Sequence, residues 1–272
     1  MAFEDVLAVA LEAARCGAAV HQKHVGRVQQ TQWTLKGTAD FVSFVDHEAE
    51  SRILDVIMRA FPTHEVMAEE ASTAAGPDMP ARDWASVDWL WIVDPLDGTT
   101  NFLHAYPMYC TSVGVAHRGE LVAGAVVCGP TGEEWTATAG GGARLNGDTI
   151  RVSEITELRS ALIGTGFPFK ILELLPRYLR EFEAVTRHTS GARRAGSAAL
   201  DLCHVATGYF DGFWELDLYP WDIAAGSLMI REAGGIVTAM DGPLNPFERC
   251  SVLAGNPAIH EALGRLLEEV DR

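Results

Sequence analysis

The chain lacks most of what would make it a secreted, membrane or nucleic-acid-binding protein. It has no C-x-x-C pair. Its five cysteines, Cys16, Cys110, Cys128, Cys203 and Cys250, are odd in number and widely spaced. That excludes a disulfide framework and a zinc ribbon, and it reads each cysteine as a small core residue in a reducing compartment. No apolar run approaches the ~18 residues of a membrane-spanning helix. The first residues carry Glu4, Asp5 and Glu12 and lack the basic start of a signal peptide, so a cytoplasmic location is the expectation. Basic charge is scarce: 21 Lys and Arg stand against 37 Asp and Glu, for a net −16. A whole-surface footprint for nucleic acid or an anionic membrane is therefore absent. There is no G-x-x-x-x-G-K-[ST], hence no P-loop, and the nine histidines show no metal-ligand spacing. Internal repeats, low-complexity tracts and long linkers are missing too. What is there is an ordinary globular composition: 272 residues, 48% apolar, 21% charged, mean hydropathy +0.06. Such a chain can bury a core as one large or two small domains.

Phe3, Leu7, Ala10 and Ala14 recur at helical spacing and predict an opening amphipathic helix. A second is predicted from about Asp46 to Phe61, with Ala49, Ile53, Val56, Ile57 and Ala60 on its apolar face and Pro62 as its stop. Residues 71–87, rich in Ala, Ser, Pro, Gly and Asp without a period, read as a mobile surface loop. His64–Met67, Trp89–Val93, Met108–Ala116, Leu121–Cys128 and Glu134–Thr138 read as strands, and Asn146-Gly147 as a hairpin-type turn. They predict an antiparallel sheet backed by the first two helices. Beyond about residue 152 strands alternate with helices. Strands are expected at Ala161–Thr165, Gly212–Leu216 and Gly235–Ala239, and helices at about Ile171–Arg187, Ser197–Thr207, Ile223–Glu232 and Pro257–Val270. The expectation is an α+β half over 1–152 packed tightly on an α/β half over 153–272.

The strongest local signal is Trp91-Ile92-Val93-Asp94-Pro95-Leu96-Asp97-Gly98-Thr99-Thr100-Asn101-Phe102. A buried strand runs into two aspartates three residues apart, followed at once by a glycine and two hydroxyls. Carboxylates at the end of a buried strand are costly unless solvated or bound to cations. Pro95 stiffens the turn so that both can point one way, and Gly98 lets backbone approach a ligand closely. If Gly98, Thr99 and Thr100 open a helix, their amides form an anion site. Cation ligands beside such a turn point to a metal-assisted phosphate site. An isolated D-x-x-D-G is more often an Asx turn facing water. Three other segments carry further acids: Ala68-Glu69-Glu70 after a strand, Trp221-Asp222 where an apolar helix begins, and Asp40 and Asp46 in Lys36–Asp46. Taken singly, Asp46 reads equally well as a helix cap, and for Asp222 the helix cap is the preferred reading. His104 is a possible site neighbour with a surface or packing role as the better alternative. Trp84 is a candidate cover for the site, and Lys36, Arg193 and Arg194 are candidate partners for an anion, with surface salt bridges as the alternative for the two arginines.

Together these residues resemble the inositol monophosphatase family of Mg²⁺-dependent, lithium-sensitive phosphatases. The likeness runs in order along nearly the whole chain: Lys36–Asp46, Glu69-Glu70, Asp94–Phe102 extended by His104 and Pro107, Gly164–Pro168, Gly196–Leu200, Glu215 and Trp221-Asp222. Arg193–Leu202 is closest to the bacterial extragenic-suppressor type. Two positions depart from the usual pattern: Ala68 precedes the Glu pair and Ala71 follows it. Neither removes a ligand; both touch the loop on which a third metal would depend.

The resemblance implies a layered αβαβα sandwich of the inositol monophosphatase and sugar phosphatase type, as a cytoplasmic homodimer. It makes Glu69, Asp94 and the Leu96 carbonyl ligands of one Mg²⁺, and Asp94, Asp97 and Asp222 ligands of a second. A weaker third would share Glu69. Thr99, with Asp46 behind it, would orient the attacking water. The Gly98 and Thr99 amides would hold phosphate, and Glu215 with the backbone of Gly196, Ser197 and Ala198 would contact the substrate alcohol. The implied substrate is a phosphorylated small polyol, foremost myo-inositol monophosphate. Histidinol phosphate, fructose 1,6-bisphosphate and nucleotide 3′-phosphates are alternatives within the family. A second class of function is implied by the suppressor-type relatives, which act with the transcription machinery as protein partners; direct nucleic-acid or membrane binding is not expected. Two Mg²⁺ would bring the net charge from −16 to about −12 and reverse its sign where an anion must bind.

Overall fold

The computed structural model describes residues 2–29, 31, 33–37, 40–75 and 83–270. The first sheet has seven strands: β3 (Glu65–Ala68), β4 (Trp89–Asp97), β5 (Cys110–His117), β6 (Glu120–Cys128), β7 (Glu133–Thr138), β8 (Gly142–Leu145) and β9 (Asp148–Thr149), in that spatial order. A two-stranded hairpin, β1 (Thr34–Gly37) with β2 (Asp40–Val42), stands apart from it. All pairs in the large sheet are antiparallel except β3 with β4, which are parallel. The second sheet has five strands, β10 (Leu162–Thr165), β11 (Gly191–Arg193), β12 (Gly212–Leu218), β13 (Ile236–Ala239) and β14 (Cys250–Gly255), ordered β11-β10-β12-β14-β13.

Alternation along the strands decides which helices cover which face. On β4, Trp91 and Val93 point to one side, where they pack with Val113, Val115 and the apolar faces of α1 (Phe3–His24) and α2 (Phe44–Ala60). Leu90 and Ile92 point to the other, into a core shared with α6 (Ala198–Thr207) and α7 (Pro220–Glu232). Both faces are buried, which is why β4 reads as an unbroken apolar run. The second sheet repeats the device. Phe213, Val252 and Ala254 face α6 and α7, whereas Trp214, Leu216 and Leu253 face α5 (Leu175–His188) and α8 (Pro257–Val270). The layers are thus α1/α2, large sheet, α6/α7, small sheet, α5/α8: an αβαβα sandwich.

Close approach seats α7. Gly114 and Gly124 are cross-strand neighbours on β5 and β6. A Cβ at Gly114 would come within 2.8 Å of the Ala224 Cβ, and one at Gly124 within 3.2 Å of the Ala225 Cα. The small residues of Trp221-Asp222-Ile223-Ala224-Ala225-Gly226 therefore let the helix lie directly on the sheet.

Several expectations need correction. Residues 71–87 are not one loop: α3 (Glu69–Ala75) occupies the start and a 3₁₀ turn, Trp84–Ser86, lies near the end, while 76–82 fall outside the described residues. Glu and Ala favour that short helix although no apolar period announces it. Trp84 packs against the main core and does not cover the site. The first sheet is not purely antiparallel and is covered on its second face by α7, so the first two helices back only half of it. Cys110, Cys128 and Cys203 are core residues as expected, but Cys16 and Cys250 are half-buried. Ala60 is exposed at the end of α2. α5 starts at Leu175 with Pro176 in its first turn, after a 3₁₀ turn at Leu172–Leu174.

Candidate active site

The two aspartates of the core motif share a face because of a β-bulge. Asp94 pairs with Ser112 and Asp97 with Cys110, so three steps on β4 answer two on β5. In a regular strand residues three apart face opposite ways; the extra residue turns Asp97 to the side of Asp94. Pro95 is tolerated here because a bulge asks no ladder N–H of it. Its carbonyl is held from the far side by His21 Nε2 at 2.9 Å and the Thr111 hydroxyl at 3.2 Å. The Leu96 amide donates to Asp94 Oδ1 at 2.9 Å. At Gly98 the chain turns with φ +92°, and a Cβ there would lie 2.8 Å from the Met108 carbonyl, so glycine is required. The helix α4 (Thr99–Leu103) follows at once.

Asp222 joins from α7. Its position in the first turn makes it a cap, with Oδ2 accepting the Tyr219 amide at 2.7 Å. It is also a member of a cluster: ligand oxygens of Asp94, Asp97 and Asp222 lie within 4.8 Å of one another. Asp97 Oδ2 accepts the Ser197 hydroxyl at 2.6 Å and the Ala199 amide at 2.7 Å, which ties it to the start of α6. Glu69, first residue of α3, lines the same cleft but stands outside that triad.

The cleft has a volume of about 400 Å³. Gly98, Thr99 and Thr100 line it beside the acids, and first-turn amides have no acceptor within their own helix. The Thr99 hydroxyl lies 3.1 Å from Asp46 Oδ1 and 3.0 Å from the Leu96 carbonyl. Asp46 also closes a capping box on α2, its Oδ2 accepting the Ser43 amide at 2.8 Å and the Ser43 hydroxyl at 2.9 Å. The cleft is also lined by Phe167, Phe169, Lys170, Arg194, Gly196, Ser197, Ala198 and Glu215. The Arg194 guanidinium carbon sits 5.1 Å and 5.6 Å from the ring centres of Phe167 and Phe169. Glu215 passes so close to Gly166 that any side chain there would run into its carboxylate.

Burial and mutual repulsion govern the charges. Burial pushes the Asp94 carboxyl well above its ordinary value, with Glu69, Asp97 and Asp222 adding to the shift. Burial also raises Asp97, against the pull of Ser197 and Ala199. Asp222 is pushed up to about 7 by burial, with Lys170 opposing and Asp97 and Glu69 adding. Glu215 is pushed up to about 8, again by burial first and then by Asp222. A group of acids like this must be balanced by protons or cations.

The structure brings every expected metal and substrate residue to this one cleft, with Asp46 behind Thr99. It does not bring His104, which is exposed and meets Trp33 edge-on at 5.4 Å between ring centres. The side chains of Lys36 and Asp40 lie outside the described residues. Ser197 was expected to serve through its backbone; its hydroxyl holds Asp97 as well. Sequence reasoning passed over Lys170, His21 and Glu50. Only Glu50 left a readable trace, standing one helical turn beyond Asp46.

Known proteins match this chain over nearly its whole length. A family model described as the inositol monophosphatase family matches residues 3–272. An inositol-1-monophosphatase of Rhizobium meliloti is 47% identical over 244 residues, which cover 89% of this chain and 88% of that protein. A Nus factor SuhB of Pseudomonas aeruginosa is 40% identical over 262 residues, covering 96% and 94%. The crystal structure of an extragenic suppressor protein suhB from Bartonella henselae matches with a TM-score of 0.88 at 40% identity, covering 97% of this chain and 99% of that one.

Proposed function

The chain belongs to the inositol monophosphatase family, and from that premise we propose that it is a Mg²⁺-dependent phosphatase of small polyol monophosphates, with myo-inositol monophosphate as its substrate. It is a phosphoric monoester hydrolase. The observation that carries the finer reading is the triad of Asp94, Asp97 and Asp222 beside the Thr99–Asp46 pair. The donor set fits the metal: hard carboxylate and carbonyl oxygens, with no histidine or cysteine among the described residues lining the cleft, suit Mg²⁺ over softer ions. Glu69, Asp94 and the Leu96 carbonyl would hold one ion, Asp94, Asp97 and Asp222 a second, and Glu69 would share a weaker third. When bound, such ions neutralise phosphate charge and acidify water.

The chain's own groups do the positioning. The Thr99 hydroxyl, with Asp46 to take its proton, orients the attacking water on one side of the phosphorus. The amides of Gly98 and Thr99 hold phosphate oxygens. Glu215 and the backbone of Gly196–Ala198 receive the hydroxyls of the alcohol. The name of the Rhizobium relative, inositol-1-monophosphatase, supports the choice of substrate. The test is phosphate release from inositol 1-phosphate, histidinol phosphate, fructose 1,6-bisphosphate and a nucleotide 3′-phosphate, with Mg²⁺ and with added Li⁺. The reading expects inositol phosphate to have the highest kcat/KM and Li⁺ to inhibit; a clear preference for another substrate would overturn the substrate assignment.

We further propose a homodimer in the cytoplasm, checked by sedimentation and fractionation. Among the described residues no helix is long and apolar enough to cross a membrane. A second role, protein binding beside catalysis, is favoured by one observation, the name Nus factor borne by the Pseudomonas relative. It is tested by asking whether Asp94→Asn still captures from lysate the partner that the unaltered chain captures.

A further inference from the structure

Two acids of α2 stand one turn apart, on the same face of the helix. Asp46 reaches Thr99. Glu50 reaches elsewhere: its Oε2 accepts the Glu70 amide at 2.8 Å and its Oε1 the Ala71 amide at 3.1 Å. Those donors belong to the first turn of α3, where N–H groups find no carbonyl in their own helix. Glu50 is only 8% exposed, so its bond to the Glu70 amide is buried, while the one to Ala71 is partly so. No residue separates β3 from α3: Ala68 ends one and Glu69 begins the other. Whatever fixes the first turn of α3 therefore fixes Glu69. This acid lines the cleft from outside the triad, so its reach toward Asp94 depends on how α3 is held.

We propose that Glu50 is a positioning residue for the metal centre, clamping the first turn of α3 and so setting where Glu69 stands relative to Asp94. This inference rests on the reading of Glu69 as a cation ligand. It makes α2 a common mount for two arms of the site, with Asp46 steadying Thr99 after β4 and Glu50 steadying Glu69 after β3. Only a carboxylate suits the task, because both oxygens must accept. Glutamine is nearly the same shape but presents one acceptor and one donor, and the donor would face an N–H. Outer-shell partners of metal ligands are worth about 10–100-fold in metal affinity.

The experiment measures Mn²⁺ affinity directly, from the free-ion paramagnetic resonance signal, for the full chain and for Glu50→Gln, Glu50→Asp, Glu69→Gln and Glu48→Gln. Glu48 is a control on the same helix; it pairs with Lys23 and His24 at the surface. Glu50→Gln and Glu69→Gln are each expected to weaken Mn²⁺ binding about tenfold or more, with Glu48→Gln unchanged. Half-saturating Mg²⁺ for phosphate release should rise in Glu50→Gln, while its kcat at saturating Mg²⁺ returns close to that of the unaltered chain; a loss of stability alone would not produce that split. If Glu50→Gln does not fold, Glu50→Asp decides, because it keeps the charge but is too short to span both amides. Unaltered Mn²⁺ affinity in the folded Glu50 variant, alongside a weakened Glu69→Gln, overturns the positioning role. Unaltered affinity in Glu69→Gln overturns the reading of the site itself.

Discussion

Replacing Asp94 by Asn should make the metal-free protein more stable and the enzyme inactive, and the two effects have one cause. Asp94 is buried at 1% exposure and its oxygens lie within 4.8 Å of those of Asp97 and Asp222. At an effective dielectric of 20, two like unit charges 4.8 Å apart repel by about 3.5 kcal/mol. With both neighbours ionised Asp94 would face about twice that, and the protein escapes part of the cost by binding protons. Asparagine keeps the shape, and its carbonyl oxygen can still accept the Leu96 amide that Asp94 Oδ1 accepts at 2.9 Å. In EDTA at pH 8 the variant should therefore unfold at a higher temperature, by a few degrees for each ~1 kcal/mol relieved. Adding Mg²⁺ should reverse the order, raising the melting temperature of the unaltered chain and leaving Asp94→Asn nearly unmoved. Phosphate release should fall by about a thousandfold or more, since the altered group would serve both ions. The assay is thermal unfolding in EDTA and in Mg²⁺, with phosphate release on the same samples. The reasoning is refuted if Asp94→Asn is less stable than the unaltered chain in EDTA. It is equally refuted if Mg²⁺ stabilises both alike, or if activity survives.

Thr99→Val removes the hydroxyl that faces Asp46 and should lower kcat about 10²–10⁴-fold with little change in Mn²⁺ affinity, as read by steady-state kinetics beside a binding titration. Glu215 carries a carboxyl raised to about 8, so between pH ~4.5 and ~8 the folded protein holds a proton that the unfolded chain has lost. Stability of the metal-free protein should thus fall as pH rises through that window, by at most about 4–5 kcal/mol at 1.36 kcal/mol per unit. Urea unfolding in EDTA should show a shallower fall for Glu215→Gln. Gly114→Val drives a side chain into Ala224, whose Cβ already lies within 2.8 Å of where a Cβ at Gly114 would stand. It should destabilise the fold by about 1–3 kcal/mol and, by shifting α7, weaken Mn²⁺ binding through Asp222; unaltered affinity in the folded variant would count against that link.

The outer layers were legible because their helices carry an apolar stripe. Leu263, Leu267 and Ile259 on α8, or Ala49, Ile53 and Ile57 on α2, face cores that periodicity alone identifies. Elements without a stripe were not. α3 is too short and too polar to show one, and β11 and β14 are edge or inner strands flanked by loop-rich sequence. The acids of the site were legible as a set, since Asp94 and Asp97 interrupt an apolar strand and Asp222 opens an apolar helix. Their mechanism of convergence was not. The bulge at Pro95 depends on pairing with β5, and the bond from His21 to the Pro95 carbonyl joins residues 74 positions apart. Neither leaves a local signature.

The alternatives weighed for Asp46 and Asp222 turn out not to compete. A carboxylate has two oxygens and about four acceptor sites. Asp46 gives Oδ2 to the Ser43 cap and Oδ1 to Thr99; Asp222 gives Oδ2 to the Tyr219 amide and keeps capacity for the cluster. Asp97 divides likewise, with Oδ2 spent on Ser197 and Ala199. In each case the bond at one oxygen fixes the aim of the other, at a place where the backbone is itself held by the start of a helix. An acid anchored this way loses little further freedom when a cation arrives, and crowding with its neighbours already favours any counter-charge. Capping is therefore how this fold points its acids, and a helix-capping signature at the end of a buried strand should be counted toward a binding site, not against it.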